Sequence, residues 1–292
     1  MRRAFRALPA VLTFGLSAAL AAAPPSLARL EHVPTAHAPK PMRVVFVAPP
    51  GYAEEKERRY PVLYFLHDAG GDESVLVRTG IAADLVARMA RKELPPFLLV
   101  APRGVGTWFV DAYDGATRMA TFLADELVPY VDLHYRTIAS REGRVVAGIS
   151  MGGYGALRWA LTRGETFIEA GGLSPAVQQL EWRGVMALPF FVRPSVTNVL
   201  GSHELRNNLR QNDLYDLLLT RPSLAKGAPR IHVRTGTEDR YRIGEVATVF
   251  KRTLDAYGIP NELILEKGIH DWDYWKRVFP DFVTSLVGSF GS

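Results

Sequence analysis

One serine stands in the pattern G-x-S-x-G at residues 148–152, which read GISMG. The apolar run at residues 144–150 predicts a strand, and the spacing of residues 153–164 predicts a helix directly after it. This setting is typical of a nucleophile elbow, which exposes the serine hydroxyl at the end of a strand. Glycine is needed two residues to either side because larger side chains would collide there. We therefore predict that Ser150 is a nucleophile, the alternative being a glycine-rich turn with a capping serine.

A serine hydroxyl is a poor nucleophile until a base takes its proton, so a histidine and an orienting carboxylate are required. In a strand–turn–helix setting they should follow in the order serine, acid, histidine. Three histidines follow Ser150: His203, His232 and His270. His232 lies inside a predicted strand and His203 in a segment without clear strand and helix alternation. His270 directly follows the last predicted strand, and it is our candidate base.

The candidate acids lie in the segment RTGTEDRY, just beyond another predicted strand. Asp239 and Glu238 both occur there, and one helix and one strand separate them from His270, which brings the two loops to the same edge of a sheet. We predict Asp239 in preference to Glu238. Asp271 is a third alternative, but a residue next to the histidine in sequence rarely reaches back to its ring.

Two backbone N–H groups are expected to stabilise the negative oxygen of a tetrahedral intermediate. One should come from Met151, the residue after the nucleophile. The other should come from the loop HDAGG at residues 67–71, which follows an early strand. We assign it to Ala69, with Gly70 as the alternative. His67 in the same loop is interpreted as a group that braces the loop rather than as a second base.

Short apolar runs alternate with amphipathic segments along the chain. Strands are predicted at residues 42–49, 61–67, 96–102, 144–150, 167–174, 230–236 and 262–268. Helices are predicted at residues 80–94, 116–132, 153–164, 244–258 and 272–290. Strands that are apolar on both faces and alternate with helices indicate an α/β fold, a mostly parallel sheet covered by helices on both faces.

Three regions are distinguished within this organisation. Residues 29–40, with two prolines, are predicted to form an irregular lead-in, and residues 41–292 a single catalytic domain. Residues 176–228 interrupt the strand and helix rhythm, and they are longer than a plain crossover requires. We interpret them as a lid-like helical excursion near the edge where ligands bind, the alternative being a plain packing segment.

The amino terminus, residues 1–28, has the pattern of a signal peptide: a basic start, an apolar stretch, then small residues and prolines. Cleavage after Ala28 or after Ala23 would satisfy the small-residue rule. Three prolines and a short apolar stretch argue against the alternative of a membrane anchor. We expect an exported protein, periplasmic or secreted, with no stable membrane span after processing.

Composition excludes several functions. The formal net charge is +5, and the three arginines in residues 1–28 account for three of these charges, so the remainder carries +2. Such a balance does not favour nucleic acid as a partner. The chain has no cysteine, which excludes disulfides, thiolate catalysis and cysteine-ligated zinc. We expect neither a cofactor nor a metal, and the sequence does not determine the oligomeric state.

Several segments together resemble one family. They are YPVLYFLHDAGG, DELVPYVDLHYRT, AGISMGGYGALRWAL, GLSPA, TGTED and GIHDWDYWK. They are similar, in the same order from about Arg43 to Trp275, to the putative-esterase branch of the α/β-hydrolases. This branch includes feruloyl esterases, S-formylglutathione hydrolase and mycolyltransferases. The resemblance implies an α/β-hydrolase fold and a serine esterase that needs no cofactor. It also implies a small-molecule or glycan-linked ester as substrate.

By position, the resemblance implies Ser150 as nucleophile, Asp239 as acid and His270 as base, with the Ala69 and Met151 N–H groups as oxyanion donors. Water would then release the acyl group from an acyl-enzyme. One alternative is an acyltransferase that passes the acyl group to a sugar or another alcohol. Another, from a different class, is a non-catalytic binding protein on the same fold.

One residue departs from the family pattern, and three aromatic residues are candidates for the substrate pocket. The family usually has His-Gly where this chain has His67 followed by Asp68, which puts a carboxylate beside the expected oxyanion donors. Negative charge there would oppose the intermediate if it pointed inward. Trp108, Tyr113 and Trp272 are candidate pocket residues, although core packing is the commoner role of aromatic side chains.

Overall fold

The computed structural model describes residues 28–177, 193–201 and 206–290. Its centre is an eight-stranded sheet with the order β1-β2-β4-β3-β5-β6-β7-β8. The strands are β1 (Ala28–Val33), β2 (Met42–Val47), β3 (Val62–Leu66), β4 (Leu98–Pro102), β5 (Arg144–Ile149), β6 (Glu169–Leu173), β7 (Arg230–Gly236) and β8 (Asn261–Glu266). Strands β3 to β8 are mutually parallel, whereas β1 and β2 pair antiparallel at one side. The parallel strands therefore bring their carboxyl ends, and the loops that follow them, to one edge of the sheet.

Helices lie along the sheet and at this edge. They are α1 (Val75–Arg78), α2 (Ile81–Ala90), α3 (Met119–Thr121), α4 (Val128–His134), α5 (Met151–Thr162), α6 (Arg193–Leu200), α7 (Arg206–Asn212), α8 (Leu214–Thr220), α9 (Ile243–Ala256) and α10 (Trp272–Val287). A π-helical segment, Phe122–Leu127, joins α3 to α4, and 3₁₀ turns occupy Arg141–Gly143 and Pro222–Ala225. None of the helices described is long and apolar enough to span a membrane.

Alternate residues of the central strands face two separate hydrophobic clusters, as period-2 geometry requires. In β3, Tyr64 and Leu66 belong to the cluster that packs under α5 and α9, whereas Leu63 and Phe65 belong to the cluster under α2 and α10. All five residues of β3 are buried. The sheet is therefore covered on both faces, and the prediction of an α/β fold is confirmed. Each of the seven predicted strands and five predicted helices overlaps an observed element, and the structure adds β1 and further short helices.

The prediction of an irregular lead-in over residues 29–40 is wrong for its first part. Residues 29–33 belong to β1, which pairs antiparallel with β2 from Ala28 opposite Val47 to Val33 opposite Met42. The segment ARLEHV carries two charged residues and a histidine among few apolar ones, so its pattern does not indicate a strand. Pairing with the apolar strand β2 makes it one, and only residues 34–40 lack regular structure.

The predicted excursion at residues 176–228 is only partly within the described residues. The described part contains α6, α7, α8 and the 3₁₀ turn Pro222–Ala225, so it is helical as expected. Residues 178–192 and 202–205, which include His203, lie outside the described residues, as do residues 1–27 of the expected signal peptide.

Helix α5 begins in close contact with the end of β3. An ideal Cβ placed on Gly152 would lie 2.0 Å from the carbonyl oxygen of Leu66 and 2.5 Å from that of His67. Any larger residue would force the helix away from the strand. The predicted requirement for glycine at this position is confirmed.

We expect Gly152→Ala to lower the free energy of unfolding by about 2 kcal/mol or more, because backbone atoms on two elements must move to admit one methyl group. Urea unfolding followed by circular dichroism measures the change. Gly244→Ala is the matched control, since its Cβ would lie at an ordinary 3.5 Å from the nearest atom and helix α9 would gain a better helix former. Equal stability of the Gly152→Ala and wild-type proteins would contradict this packing.

Candidate active site

Ser150 occupies a strained backbone position between β5 and α5. Its φ of 53° and ψ of −113° lie outside the regions that side-chain-bearing residues usually adopt. The Ser150 N–H donates to the Leu173 carbonyl, and the Ser150 carbonyl accepts from the N–H groups of Tyr154 and Ala176. These bonds fix the turn from both sides. The hydroxyl therefore lies at the carboxyl edge of the sheet, at the amino terminus of α5.

The second glycine of the turn is required for the same reason as Gly152. A Cβ on Gly148 would lie 2.2 Å from the carbonyl oxygen of Gly152, because the turn brings the strand end and the helix start together. The two glycines of the G-x-S-x-G pattern are therefore required because a side chain at either position would clash with the backbone.

The structure brings Ser150, His270 and Asp239 into one hydrogen-bonded chain. His270 Nε2 lies 2.9 Å from Ser150 Oγ, and His270 Nδ1 lies 2.6 Å from Asp239 Oδ2. The side chains of His270 and Asp239 are 9% and 1% exposed, so the pair is largely shielded from water. A proton on Nδ1 directed at the carboxylate leaves Nε2 free to accept the proton of the serine hydroxyl.

The loops that carry His270 and Asp239 are joined to each other. The Thr237 N–H donates to the Glu266 carbonyl and the Glu238 N–H to the Gly268 carbonyl. A Cβ on Gly236 would lie 2.2 Å from the Gly268 carbonyl oxygen, so the backbones touch at this point. The side chains of Asp239 and His270, one on each loop, are therefore held at a fixed separation.

The two alternative acids are engaged elsewhere or directed into solvent. Glu238 is exposed, and Asp271 caps helix α10 by accepting a 2.8 Å hydrogen bond from the Tyr274 N–H. The second oxygen of Asp239 accepts from the Tyr241 N–H at 2.9 Å, which orients the carboxylate toward His270. Geometry thus favours Asp239 over both alternatives.

Three residues around His270 were not identified from the sequence. The edges of the Tyr241 and Trp275 rings contact His270, each at a centroid distance of 4.9 Å. The Trp275 indole N–H in turn donates to Ser174 Oγ at 3.1 Å. Trp275 follows His270 by five residues in the segment GIHDWDYW, in the first turn of helix α10, and this closeness in sequence is the signal that could have found it. These contacts hold the imidazole in one orientation.

The two expected oxyanion donors are both available. Within the part of the chain that the structure describes, neither the Ala69 nor the Met151 N–H donates to a protein acceptor. Met151 is the first residue of helix α5, where unpaired N–H groups and the helix dipole favour negative charge. The alternative donor, the Gly70 N–H, is occupied because it donates to Asp68 Oδ2 at 3.1 Å.

His67 braces the loop after β3, as the sequence predicts. Its Nε2 accepts from the Gly104 N–H at 2.9 Å, so the proton lies on Nδ1, which donates to the Asp68 carbonyl at 2.8 Å. Burial lowers the pKa of the His67 imidazole, although the nearby carboxylates act in the opposite direction. The neutral His67 ring, hydrogen-bonded at both nitrogens, thus joins this loop to the loop after β4.

Asp68, the departure from the family pattern, folds back onto its own loop. The residue is 7% exposed, Oδ2 accepts from the Gly70 N–H, and Oδ1 is buried without a hydrogen-bond partner among the described residues. Burial raises the pKa of this carboxyl, while the hydrogen bond from the Gly70 N–H acts to lower it. Part of its charge is thus neutralised by the loop backbone.

The three candidate pocket residues have different environments. Trp108 is 3% exposed and packs in the core, its edge against Tyr154 and its indole N–H donating to Ser195 Oγ. Tyr113 is 47% exposed. Trp272 is half-buried and contacts Trp275 edge to face at 5.4 Å, which places it one ring away from His270. Trp272 is therefore linked to His270 through Trp275, and Trp108 belongs to the packing beneath helix α5.

We expect Asp68→Asn to gain stability relative to wild type as the pH rises from 4 to 7. The pKa of Asp68 is higher in the folded than in the unfolded protein. Its contribution to stability is therefore fully present below the pKa of the unfolded state and is lost as the pH rises through the pKa of the folded state. Asparagine keeps the acceptor for Gly70 and does not titrate. The difference in Tm between variant and wild type, measured across this pH range, should increase.

Asp72→Asn, in the same loop, is the control with the opposite sign. Burial acts to raise the pKa of Asp72, but hydrogen bonds from Ser74 and Arg78 lower it to about 2. Stability from this carboxylate is present above the unfolded pKa and is lost as the pH falls toward 2. The control should therefore be less stable than wild type at pH 7. A Tm difference for Asp68→Asn that did not change with pH would contradict the assignment.

Comparisons with known proteins agree with this architecture. The family model described as Putative esterase matches residues 35–286. Esterase Rv1288 of Mycobacterium tuberculosis (strain ATCC 25618 / H37Rv) is 37% identical over 107 residues, which are 35% of this chain and only 22% of that protein. The acetyl esterase of Caldicellulosiruptor saccharolyticus is 26% identical over 222 residues, covering 74% of this chain and 79% of that protein.

Among solved structures, a ferulic acid esterase superposes with a TM-score of 0.73 at 21% identity, covering 90% of this chain and 98% of that one. This likeness shows that the chain has the α/β-hydrolase fold. Because the family match extends over most of the described domain, the chain belongs to the Putative esterase family.

Proposed function

We propose that the protein is a serine carboxylic ester hydrolase in which Ser150, His270 and Asp239 form the catalytic triad. The observation that carries the proposal is the hydrogen-bonded chain from Ser150 Oγ through both ring nitrogens of His270 to the buried Asp239 carboxylate. Membership of the Putative esterase family supports ester hydrolysis. A binding protein would have no need for this alignment next to a strained serine.

In the first half of the reaction, Ser150 Oγ attacks the acyl carbonyl of the ester while His270 Nε2 takes its proton. Asp239 stabilises the imidazolium that forms, through the Nδ1–H hydrogen bond. The Ala69 and Met151 N–H groups donate to the oxygen that becomes negative in the tetrahedral intermediate. His270 then gives its proton to the alcohol oxygen, and the alcohol leaves an acyl group on Ser150.

In the second half, water attacks the acyl-enzyme and His270 again takes a proton. The second tetrahedral intermediate uses the same two N–H donors, and its collapse returns the proton to Ser150 and releases the acid. No metal or cofactor has a role in this sequence of steps. When the Asp68 carboxyl is ionised, its negative charge opposes the negative charge of the intermediate. The hydrogen bond from the Gly70 N–H favours turnover because it holds this carboxylate on its own loop.

The natural substrate is proposed to be an acyl ester of a small or glycan-linked alcohol. Relatives and structural neighbours are named acetyl esterase and ferulic acid esterase, so short aliphatic and aromatic acyl groups are the first to compare. The test compares kcat/KM for p-nitrophenyl acetate, a long-chain ester and methyl ferulate. Free sugar is added as an acceptor that competes with water. Acyl transfer to the sugar in preference to water would instead indicate an acyltransferase.

We expect Ser150→Ala to lower kcat for p-nitrophenyl acetate by at least about 10³-fold, because no nucleophile remains to form the acyl-enzyme. Ser223→Ala, which alters an exposed serine on a 3₁₀ turn, should keep wild-type kcat. Circular dichroism and Tm show whether each variant is folded. A fluorophosphonate probe should label wild type at Ser150, as identified by peptide mass spectrometry. A folded Ser150→Ala protein with wild-type turnover would refute the proposal.

The assignment of the acid is tested by a pair of neighbouring substitutions. Asp239→Asn should lower kcat by about 10³-fold or more, because an amide in place of the carboxylate no longer stabilises the imidazolium. Glu238→Gln should change kcat less than about twofold, since this side chain is exposed. If the two effects were reversed, Glu238 would be the orienting acid.

We also propose that the protein is exported, on the basis of the signal-like pattern in residues 1–28. Strand β1 begins at Ala28, opposite Val47, so cleavage after Ala23 would leave β1 whole and cleavage after Ala28 would remove only its first residue. Mass spectrometry of protein recovered from the periplasm or medium should find a chain that starts at Pro24 or Arg29. Recovery of the intact chain from the cytoplasm alone would contradict export.

A further inference from the structure

A cleft is lined by Arg158 of helix α5 and by residues of helices α7 and α8. It has a volume of about 650 Å³, and its lining includes Arg158, Arg210, Arg221, Asn207, Gln211 and Thr220. A smaller cleft of about 340 Å³ adjoins it, and the two clefts share Arg158 and Arg221. Arg158 follows Ser150 by roughly two turns, about 12 Å along the helix. The cleft is therefore a feature separate from the proposed catalytic site.

The Arg158 guanidinium is partly buried and unpaired. It forms no hydrogen bond or ion pair with any residue that the structure describes, and its Nε is buried without an acceptor. Burial lowers the pKa of Arg158, and the charge of Arg221 lowers it further, whereas Tyr154 and Asp111 act to raise it. A charge withdrawn from water without a partner costs free energy.

Two other partly buried arginines have carboxylate partners. Arg144 pairs with Asp132, and Arg234 pairs with Glu266, with side chains 11% and 14% exposed. At these two positions a carboxylate compensates the charge of the guanidinium. Arg158 has no such partner among the described residues, although Asp216 and Asp111 border the two clefts that it lines.

Arg221 is the second cation at the junction of the two clefts. Its side chain also has no ion-pair partner among the described residues, and it lies close enough to Arg158 to disfavour that residue's charge. The carboxylates nearby are engaged: Asp111 accepts from the N–H and hydroxyl of Thr121, and Asp216 lies 3.7 Å from Arg210. Two like charges thus face one space, and the carboxylates that border it, Asp111 and Asp216, contact other residues.

We propose that Arg158 and Arg221 bind the oxyanion group, a carboxylate or a phosphate, of a hydroxyl-bearing ligand such as an acidic sugar. A guanidinium offers a planar pair of donors that matches such a group. Asn207, Gln211 and Thr220 line the same cleft with amide and hydroxyl groups suited to hydroxyls of the ligand. The anion removes the cost of the unpaired charges, and the site does not depend on the proposed esterase activity.

Isothermal titration at low salt tests the site with four probes: glucuronate, glucose 6-phosphate, inorganic phosphate and glucose. Wild type should bind at least one of the two acidic sugars saturably, and more tightly than glucose. Preference for glucuronate or for glucose 6-phosphate identifies the oxyanion as carboxylate or phosphate, and inorganic phosphate reports the oxyanion contribution alone. Absence of saturable binding of both acidic sugars, or equal binding of glucose, would overturn the proposal.

Variants assign the binding to the cleft. Arg158→Met and Arg221→Met should each weaken binding of the acidic sugar by about tenfold or more, the effect of losing a charge-assisted hydrogen bond. Arg88→Met is the matched control, because it removes the same charge from an arginine paired with Asp84 on helix α2. A control variant that weakens binding as much as Arg158→Met would show a general charge effect and would refute the site.

Thermal unfolding provides a second readout that needs no activity. Without ligand, Arg158→Met should have a Tm equal to or above that of wild type, because an unpaired buried charge is removed. The acidic sugar that binds should raise the Tm of wild type and of Arg88→Met but not of Arg158→Met. If Arg158→Met failed to fold, the exposed Arg221→Met variant would carry the same comparison. A ligand-induced shift preserved in both cleft variants would overturn the assignment.

Discussion

The close approach of backbones where β5 turns into α5 is the constraint on which the site depends. The atoms that would crowd a Cβ on Gly148 belong to Gly152, and those that would crowd one on Gly152 belong to the end of β3. This tight turn holds Ser150 at a φ of 53°. The energy for holding such a conformation comes from the buried sheet and from helix α5, which pack around the turn. The serine hydroxyl and the first helical N–H groups consequently point toward the same space.

The same principle of backbone contact governs the other half of the site. Gly236 and Gly268 meet at the ends of β7 and β8, and hydrogen bonds between the two loops fix their separation. His270 and Asp239 inherit their geometry from this contact, and Trp275 and Tyr241 restrict the ring further. The parallel strands bring these loops to one edge of the sheet. The close backbone contacts at the glycines then place Ser150, His270 and Asp239 within hydrogen-bond distance of one another.

Buried charge is handled in three different ways in this molecule. The Asp239 carboxylate is paired on both oxygens, by His270 and by the Tyr241 N–H. Asp68 is bonded on one oxygen only, so its ionisation opposes folding and bears on the potential beside Ser150. Arg158 has no partner within the described chain, which makes it a candidate for an external anion. Asp239 is thus hydrogen-bonded on both oxygens, Asp68 on one, and Arg158 has no partner among the described residues.

The sequence by itself determined the fold class, because strand and helix periodicities depend on local burial patterns that one chain displays directly. It also determined the candidates Ser150, Asp239 and His270, since the order of motifs along a doubly covered parallel sheet leaves few positions for them. It failed for β1, whose charged residues become a strand only by pairing with β2. Tertiary structure alone decided that the Gly70 N–H is hydrogen-bonded to the Asp68 carboxylate and that Trp108 is a core residue. It alone also decided that Arg158 and Arg221 line one cleft without ion-pair partners among the described residues. These features are distances between residues far apart in the chain, and local patterns carry no information about such distances.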